Sequence, residues 1–389
     1  MPLLSRRAQL RGSFDDLLNL DAADELLSRR GLRTPFLRMV RDGELVSSRQ
    51  FTCSGGPGAT VDDQVRDDRV AELFAGGVTI VLLGLHRNWP PLIDFTRRLA
   101  GELGHTVQAN AYITPPSSRG FSAHYDVHDV FVLQVVGNKH WKVHRPVCPS
   151  PLSNESERQH FVRVAAEEKE LARVAAEEEP VLDIVLEPGD VLYLPRGYVH
   201  SAMSLGTTTA HLSVGVHSVT RFALVEALCA LLAERIELRA SLPIGIDFGD
   251  PAQLAPHLHT VVDELAMALR EVPAVDVARW VRDKVWADVT PEPVGPIAQA
   301  SFAMELHPEQ VVRCRAGLRW SLRSEQDLIV LEMPDSAIML PAVTRSAIQV
   351  LLGGGDVVVG ELPGLNDDDR LVLVRRLLRE GVLVPAAYN

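Results

Sequence analysis

FSAHYDVHDVFVLQVVGNKHWKV, residues 121–143, decides how this chain is read. Its valines, leucine and phenylalanine describe β-structure, yet His124, Asp126 and His128 stand at alternate positions of what otherwise reads as an apolar strand. Side chains at i and i+2 of a strand leave the same face, roughly 6–7 Å apart along the chain. Ionisable groups aimed at a core are costly without a partner, so His124 and Asp126 are placed to touch one ion. His128 is a further pocket candidate on that face. Gly137-Asn138 is a two-residue hairpin signal, after which Lys139 heads the next strand. Alternation puts Trp141 and Val143 on the side of Lys139, and His140 and His144 on the other side, where surface or interdomain packing is expected.

A third donor is found in LEPGDVLYLPRGYVHSA, 186–202, where a Pro-Gly turn opens a strand and a Pro-Arg-Gly turn delivers His200. Two imidazoles and one carboxylate on one face form the facial triad of non-heme Fe(II) oxygenases, with three coordination positions open. Lys139, buried by the pattern, calls for an anion such as a bound diacid. An H-x-D motif alone is weak; together with the distal histidine element and the lysine it is specific.

Outward from this centre, residues 105–217 hold short strands separated by turns, the pattern of a sandwich or barrel. GGVTIVLLGL (76–85) is a short buried run, and PPLIDFTRRLAGELG (90–104) is a helix with Pro at its start and Gly at its end. Residues 14–30 read as a helix capped by Ser13, and 31–50 as a polar, turn-containing segment. RVAAEE occurs twice, at 163–168 and 173–178, in an acidic insertion (163–179) that reads as a solvated helix. From 220 to about 288 the pattern is helical with wide apolar stripes; His257 and His259 there are structural. After PEPVGP (291–296), strands such as LIVLEM alternate with helices. The last of these carries Arg370, Arg375, Arg376 and Arg379 behind three aspartates. That mixed charge favours packing or protein contact over phosphate binding.

The chain has 389 residues with formal net charge −12, 46% hydrophobic and 23% charged residues, so two or three domains are expected. The acidic balance argues against direct nucleic-acid binding and suits a basic partner. No stretch has the length of a membrane span, and the start lacks the apolar core of a secretory signal. Cys53, Cys148, Cys229 and Cys314 lie far apart, which fits a reducing, cytoplasmic compartment.

NAYITPPSSRGFSAHYD (110–126), DVFVLQVVGNKHWKVHRP (129–146) and LEPGDVLYLPRGYVHSA (186–202) resemble the JmjC subgroup of Fe(II)- and 2-oxoglutarate-dependent oxygenases, above all the ribosomal oxygenases that hydroxylate ribosomal proteins. The resemblance implies a mixed architecture: a double-stranded β-helix of the cupin/JmjC type with N-terminal helical elements (1–218), a helical dimerisation domain (219–290), and a winged-helix-like α+β module (291–389). It makes His124, Asp126 and His200 the iron ligands and catalytic centre, and Lys139 the partner of a 2-oxoglutarate carboxylate. It also puts Asn110 and Tyr112 in the cosubstrate and substrate pocket and His211 and Ser213 near the cosubstrate. The implied activity is hydroxylation of a histidine or arginine side chain of a basic ribosomal protein by a homodimer, using Fe(II), 2-oxoglutarate and O2. Two alternatives stay open: an oxygenase tailoring a small peptide or natural product, and a non-catalytic metal-binding cupin that serves as a regulatory module.

Overall fold

The computed structural model describes residues 1–10, 12–152 and 161–386, with only the backbone of 161–168 included. The side chains of the first RVAAEE copy therefore lie outside the described residues, as does the segment 153–160 just before it. Two compact units divide the chain, 1–218 and 219–389.

The first unit contains thirteen strands among its described residues: β1 (Leu3–Ser5), β2 (Leu37–Arg41), β3 (Glu44–Leu45), β4 (Thr52–Cys53), β5 (Gln64–Val65), β6 (Thr79–Leu82), β7 (Thr106–Thr114), β8 (Asp129–Val136), β9 (Lys139–Pro146), β10 (Leu182–Leu186), β11 (Val191–Leu194), β12 (Tyr198–Ser204) and β13 (Thr209–His217). A major sheet runs β1-β11-β8-β13-β7-β6-β2-β3 and a minor sheet β10-β9-β12. From β8 onward the chain passes repeatedly between the two. They face one another across a shared apolar cluster of Val130, Val132, Leu192 and Leu194 from the major sheet and Trp141, Val143 and Leu186 from the minor. The result is a two-sheet β-sandwich, as expected of a double-stranded β-helix core.

The turn at Gly137-Asn138 does not close a hairpin. β8 pairs with β11 and β13, whereas β9 pairs with β10 and β12, so the turn carries the chain from one sheet to the other. A tight turn is what local sequence specifies, and a corner between sheets needs one as much as a hairpin does.

Alternation along β7, β8 and β13 explains why these strands are buried on both sides. Ala109, Ala111 and Ile113, Leu133 and Val135, and Ala210, Leu212 and Val214 pack into the core beneath the N-terminal helices. The intervening residues of β7 and β13, Gln108, Asn110, Tyr112, Thr114, His211, Ser213 and Gly215, line a cavity between the sheets. One face is therefore apolar and the other chemical, as the two-residue period requires.

The N-terminal expectations need correcting. The helix spans Leu20–Arg29 and is capped by Asn19, whose side chain accepts from the Ala22 amide at 2.8 Å, whereas the Ser13 hydroxyl donates to Asp15. Asp21 follows in the first turn, where the helix dipole favours a carboxylate. The segment 31–50 contains turns as read, but it also holds β2, whose apolar residues are buried and which pairs with β6. The helix Pro90–Leu103 matches its reading, with Gly104 as C-cap.

Asp190, from the EPGD turn, fastens β1 to the sandwich. Only 3% exposed, it accepts from Arg6 Nη1 at 2.6 Å and from the backbone amides of Arg7 and Glu187 at 2.9 and 3.1 Å. Burial opposes ionisation, but these donors outweigh it and hold the carboxyl below its ordinary pKa. Asp190→Ala leaves the Arg6 guanidinium and two part-buried amides without their acceptor, so unfolding by denaturant at pH 7 should show a loss of about 2 kcal/mol. Because the folded pKa is depressed, this contribution is present above the unfolded value of about 3.9 and vanishes as pH falls through the folded one. The gap between variant and native protein should therefore close in acid.

The second unit has helices at Arg221–Leu232, Pro251–Glu271, Ala274–Ala287 and Pro296–Met304, followed by short antiparallel sheets and helices Arg345–Leu352 and Asp367–Arg379. Its core gathers Val312, Ile329, Leu331, Leu351 and Leu377. Glu292 in PEPVGP is anchored: it pairs with Arg313 at 2.7 Å and accepts from the Ala316 amide. The three aspartates of the last helix occupy its first turn behind an Asn366 cap, where the helix dipole favours them. Arg370 and Arg375 of the same helix donate to the carbonyls of Gly360 and Ala303. These contacts fit a packing role for that helix. Among the described residues no helix is long and apolar enough to cross a membrane.

Candidate metal centre

His124, Asp126 and His200 converge: one donor atom from each lies within 4.8 Å of the others. The way they meet differs from the expectation of a continuous strand, because residues 124–128 form no regular strand and β8 begins only at Asp129. Instead His124 makes an isolated antiparallel bridge to His200. Each backbone amide donates to the other's carbonyl, at 3.1 and 2.8 Å, and the Asp126 carbonyl accepts from the Gly197 amide at 2.9 Å. Directly opposed residues of an antiparallel pair project from one face, so the two rings stand side by side with centroids 4.4 Å apart. Asp126 Oδ2 lies 3.7 Å from His200 Nε2. Two donors each about 2.1 Å from one ion stand at most about 4.2 Å apart, so this pair already fits. Gly197 is required at the turn: its φ is +87°, and a Cβ there would lie 2.3 Å from the Cys148 carbonyl oxygen.

Backbone carbonyls set the tautomers. Nδ1 of His124 lies 2.8 Å from the Ser122 oxygen, and Nδ1 of His200 lies 3.0 Å from the Tyr198 oxygen. A carbonyl only accepts, so each Nδ1 carries the proton and each Nε2 offers a lone pair. Burial, reinforced by neighbouring His124, brings His200 down to about 4, which keeps it neutral at physiological pH. This donor set suits a first-row divalent ion that keeps several positions open.

The same cavity, about 710 Å³ with its mouth, holds Lys139. The lysine is 3% exposed, and its Nζ meets only neutral partners among the described residues, Thr114 Oγ1 at 3.0 Å and His211 Nδ1 at 3.3 Å. Burial lowers it to about 7. Burial also holds His211 well below its ordinary value, with the Lys139 charge adding to the effect, so Nδ1 of His211 accepts. Tyr112 stacks on His211 with ring centroids 4.9 Å apart, and burial together with Asp126 pushes its phenol up. Trp141 stands edge-on to His211 at 5.2 Å and 6.0 Å from the His200 ring. Asn110 accepts from the Gly84 amide at 3.0 Å through Oδ1, which leaves its Nδ2 for the cavity.

All eight residues singled out for the site, His124, Asp126, His200, Lys139, Asn110, Tyr112, His211 and Ser213, line this one cavity. So does His128, although from a bend rather than a strand. His140 lies outside it and pairs with Asp183. His144 is 2% exposed rather than a surface group, with Glu178 beside it. Thr114 and Gln108 went unnoticed in the sequence. The alternation along TVQANAYIT that carries Asn110 and Tyr112 carries them too.

Comparison with known proteins fits this geometry. Residues 92–224 match the family described as the JmjC domain. The chain is 30% identical over 222 residues to the bifunctional lysine-specific demethylase and histidyl-hydroxylase NO66 of Aedes aegypti, covering 52% of this chain and 33% of that protein. It is 34% identical over 178 residues to ribosomal oxygenase 1 of Rattus norvegicus, covering 44% and 28%. The chain thus spans about a third of the length of the curated relatives it matches. In fold it is similar to the Escherichia coli ribosomal oxygenase YcfD, with a TM-score of 0.52 and 18% identity over 99% of this chain and 94% of that one. Another structure of that protein, in complex with cobalt and 2-oxoglutarate, aligns with a TM-score of 0.51 and 17% identity over 100% and 95%. Taken with the sandwich and its triad, these matches show that residues 92–224 are similar to the JmjC domain and that the chain shares the fold of the ribosomal oxygenase YcfD.

Proposed function

We propose that this protein is an Fe(II)- and 2-oxoglutarate-dependent hydroxylase of a histidine or arginine side chain in a ribosomal protein. One observation carries the reading: a buried lysine with only neutral partners among the described residues shares a cavity with a two-histidine, one-carboxylate cluster. A buried cation without an anion is expensive, and a diacid that reaches from the cluster to Lys139 removes that cost. Bound there, iron and 2-oxoglutarate supply an oxidant formed from O2 as the cosubstrate decarboxylates to succinate and CO2.

In this reading His124, Asp126 and His200 hold the ion, with their rings pre-set by the Ser122 and Tyr198 carbonyls. Lys139 and the Thr114 hydroxyl hold the remote carboxylate. His211 accepts a hydrogen bond from Lys139 and so fixes the ammonium. Tyr112 keeps its proton and can donate. Asn110, Tyr112 and Ser213 border the space left for the target side chain, and Trp141 and Phe121 keep it apolar and dry.

The net charge of −12 suits a basic target. For the remainder of the chain we take the helical stretch 219–290 as a dimerisation domain and 291–389 as a winged-helix-like module. Exposed Leu224, Val225, Leu258, Val262 and Met267 on the helices support the first assignment. A cytoplasmic location accords with cysteines that form no disulfide.

The test is direct. With Fe(II), O2 and 2-oxoglutarate the purified protein should form succinate, and ribosomal proteins of its own organism should gain the mass of one oxygen atom on one residue. Succinate formation with oxygen appearing only on small peptides would instead favour a tailoring oxygenase. Absence of succinate would favour the non-catalytic binding module.

A further inference from the structure

The mouth of the cavity is built differently from its depths. At this level β7, β13 and β8 set Gln108, Gly215 and Val130 side by side. Glycine is unfavourable in a strand interior, so its position there needs a cause. A Cβ on Gly215 would lie 2.7 Å from Cδ2 and Nε2 of His128, and 3.1 Å from Gln108 Cγ. The Cδ2–Nε2 edge of the His128 ring therefore occupies the space that a side chain at position 215 would fill. The ring stacks against His217 with centroids 4.7 Å apart and planes at 21°, and its Nε2 stands 3.3 Å from Gln108 Nε2. The amide nitrogen can only donate, so Nε2 of His128 accepts and its proton sits on Nδ1.

The charge inventory of the walls is equally informative. Among the described lining residues Asp126 is the one carboxylate, and it belongs to the metal cluster; Lys139 is the one lysine or arginine. A guanidinium entering this space would lose water with no anion to receive it. It would also offer five donors and no acceptor, facing the Asn110 Nδ2 donors fixed by Gly84.

We infer that Gln108 and His128, seated on Gly215, determine specificity at the mouth and select an uncharged, planar target side chain that has an acceptor, imidazole or carboxamide, against guanidinium. This rests on the hydroxylase reading for the identity of the cavity and narrows its target. The acidic surface attracts a basic protein while the cavity itself takes an uncharged residue of it.

Fluorescent heptapeptide pools, random except for a central His, Asn or Arg, would be titrated against the full chain by anisotropy. The His or Asn pool should bind at least about tenfold more tightly than the Arg pool. Gln108→Glu, which supplies a carboxylate, should shift that ratio toward Arg by about tenfold or more. Gly215→Ala, which displaces the His128 ring, should weaken the preferred pool without improving the Arg pool. Arg binding as tight as or tighter than the others in the native chain, equal binding of all pools or binding of none overturns the inference. So does a folded Gln108→Glu chain with an unchanged ratio. Should that variant not fold, the native ratio and Gly215→Ala decide. Binding is read without turnover, so a chain that discriminates among the pools yet forms no succinate sinks the hydroxylase reading and leaves the selection intact.

Discussion

His200→Ala should bind Fe(II) at least about 100-fold more weakly than the native chain and form no detectable succinate. Loss of a group that merely orients a ligand typically costs 10–100-fold, and loss of a donor costs at least as much. The bridge between His124 and His200 is made by backbone groups, so alanine keeps the peptide geometry and removes only the imidazole. A competition titration against a chelator reads the affinity, and circular dichroism checks the fold. His140→Ala, which alters a ring that pairs with Asp183 outside the cavity, should retain native affinity. Equal iron affinity in His200→Ala and native protein would remove this histidine from the centre.

The second large effect is expected at Lys139, with opposite signs in the free and the ligand-bound protein. Its folded pKa, brought to about 7 by burial, lies far below the unfolded value of about 10.4. Between these pH values the unfolded chain binds more protons, so the stability of the ligand-free protein should rise with pH across that window. Below it the cost of the buried charge is fully present. Lys139→Met should therefore make the ligand-free protein more stable at pH 7, by about 2–4 kcal/mol, and flatten its pH dependence. The same substitution should weaken 2-oxoglutarate binding about 10–100-fold, because a hydrogen bond to a charged group contributes roughly 1.5–3 kcal/mol. In native protein the affinity should be level below pH 7 and fall by up to tenfold per unit above it, as the ammonium needed by the carboxylate is lost. Thermal melts with and without 2-oxoglutarate across pH 6 to 10 would check both signs. A less stable Lys139→Met protein with undiminished 2-oxoglutarate affinity would contradict them.

These effects concern residues that were legible in the sequence for a physical reason. A histidine, an aspartate and a lysine in apolar surroundings violate the local pattern, and violations of that kind collect at functional sites. Periodicity also found the short strands of 105–217 and the helix Pro90–Leu103, because alternation and helical spacing are local properties. Strand partnership is not local. Nothing in Gly137-Asn138 distinguishes a hairpin from a passage between sheets, and the difference lies in the pairing of β8 with β13 and β9 with β12. The same limit hid the form of the ligand segment. His124 and Asp126 share a face through one backbone bridge to a residue 76 positions later, not through a strand of their own. Gly215 shows the limit most plainly. In sequence it is a glycine in a strand, and its purpose emerges only when His128 arrives from another part of the chain.

The central claim is one ferrous ion held on one side by His124, Asp126 and His200, with the other side left open for a keto acid whose far end reaches Lys139. Anaerobic titration of the metal-free protein with Fe(II) and then 2-oxoglutarate, followed by visible absorption, tests it most directly. The account predicts a charge-transfer band from keto-acid chelation that needs both components, saturates at one of each per chain, and is lost in Asp126→Ala. Tight binding of one iron per chain, with no such band at saturating 2-oxoglutarate, would mean that the open side is closed and would contradict it.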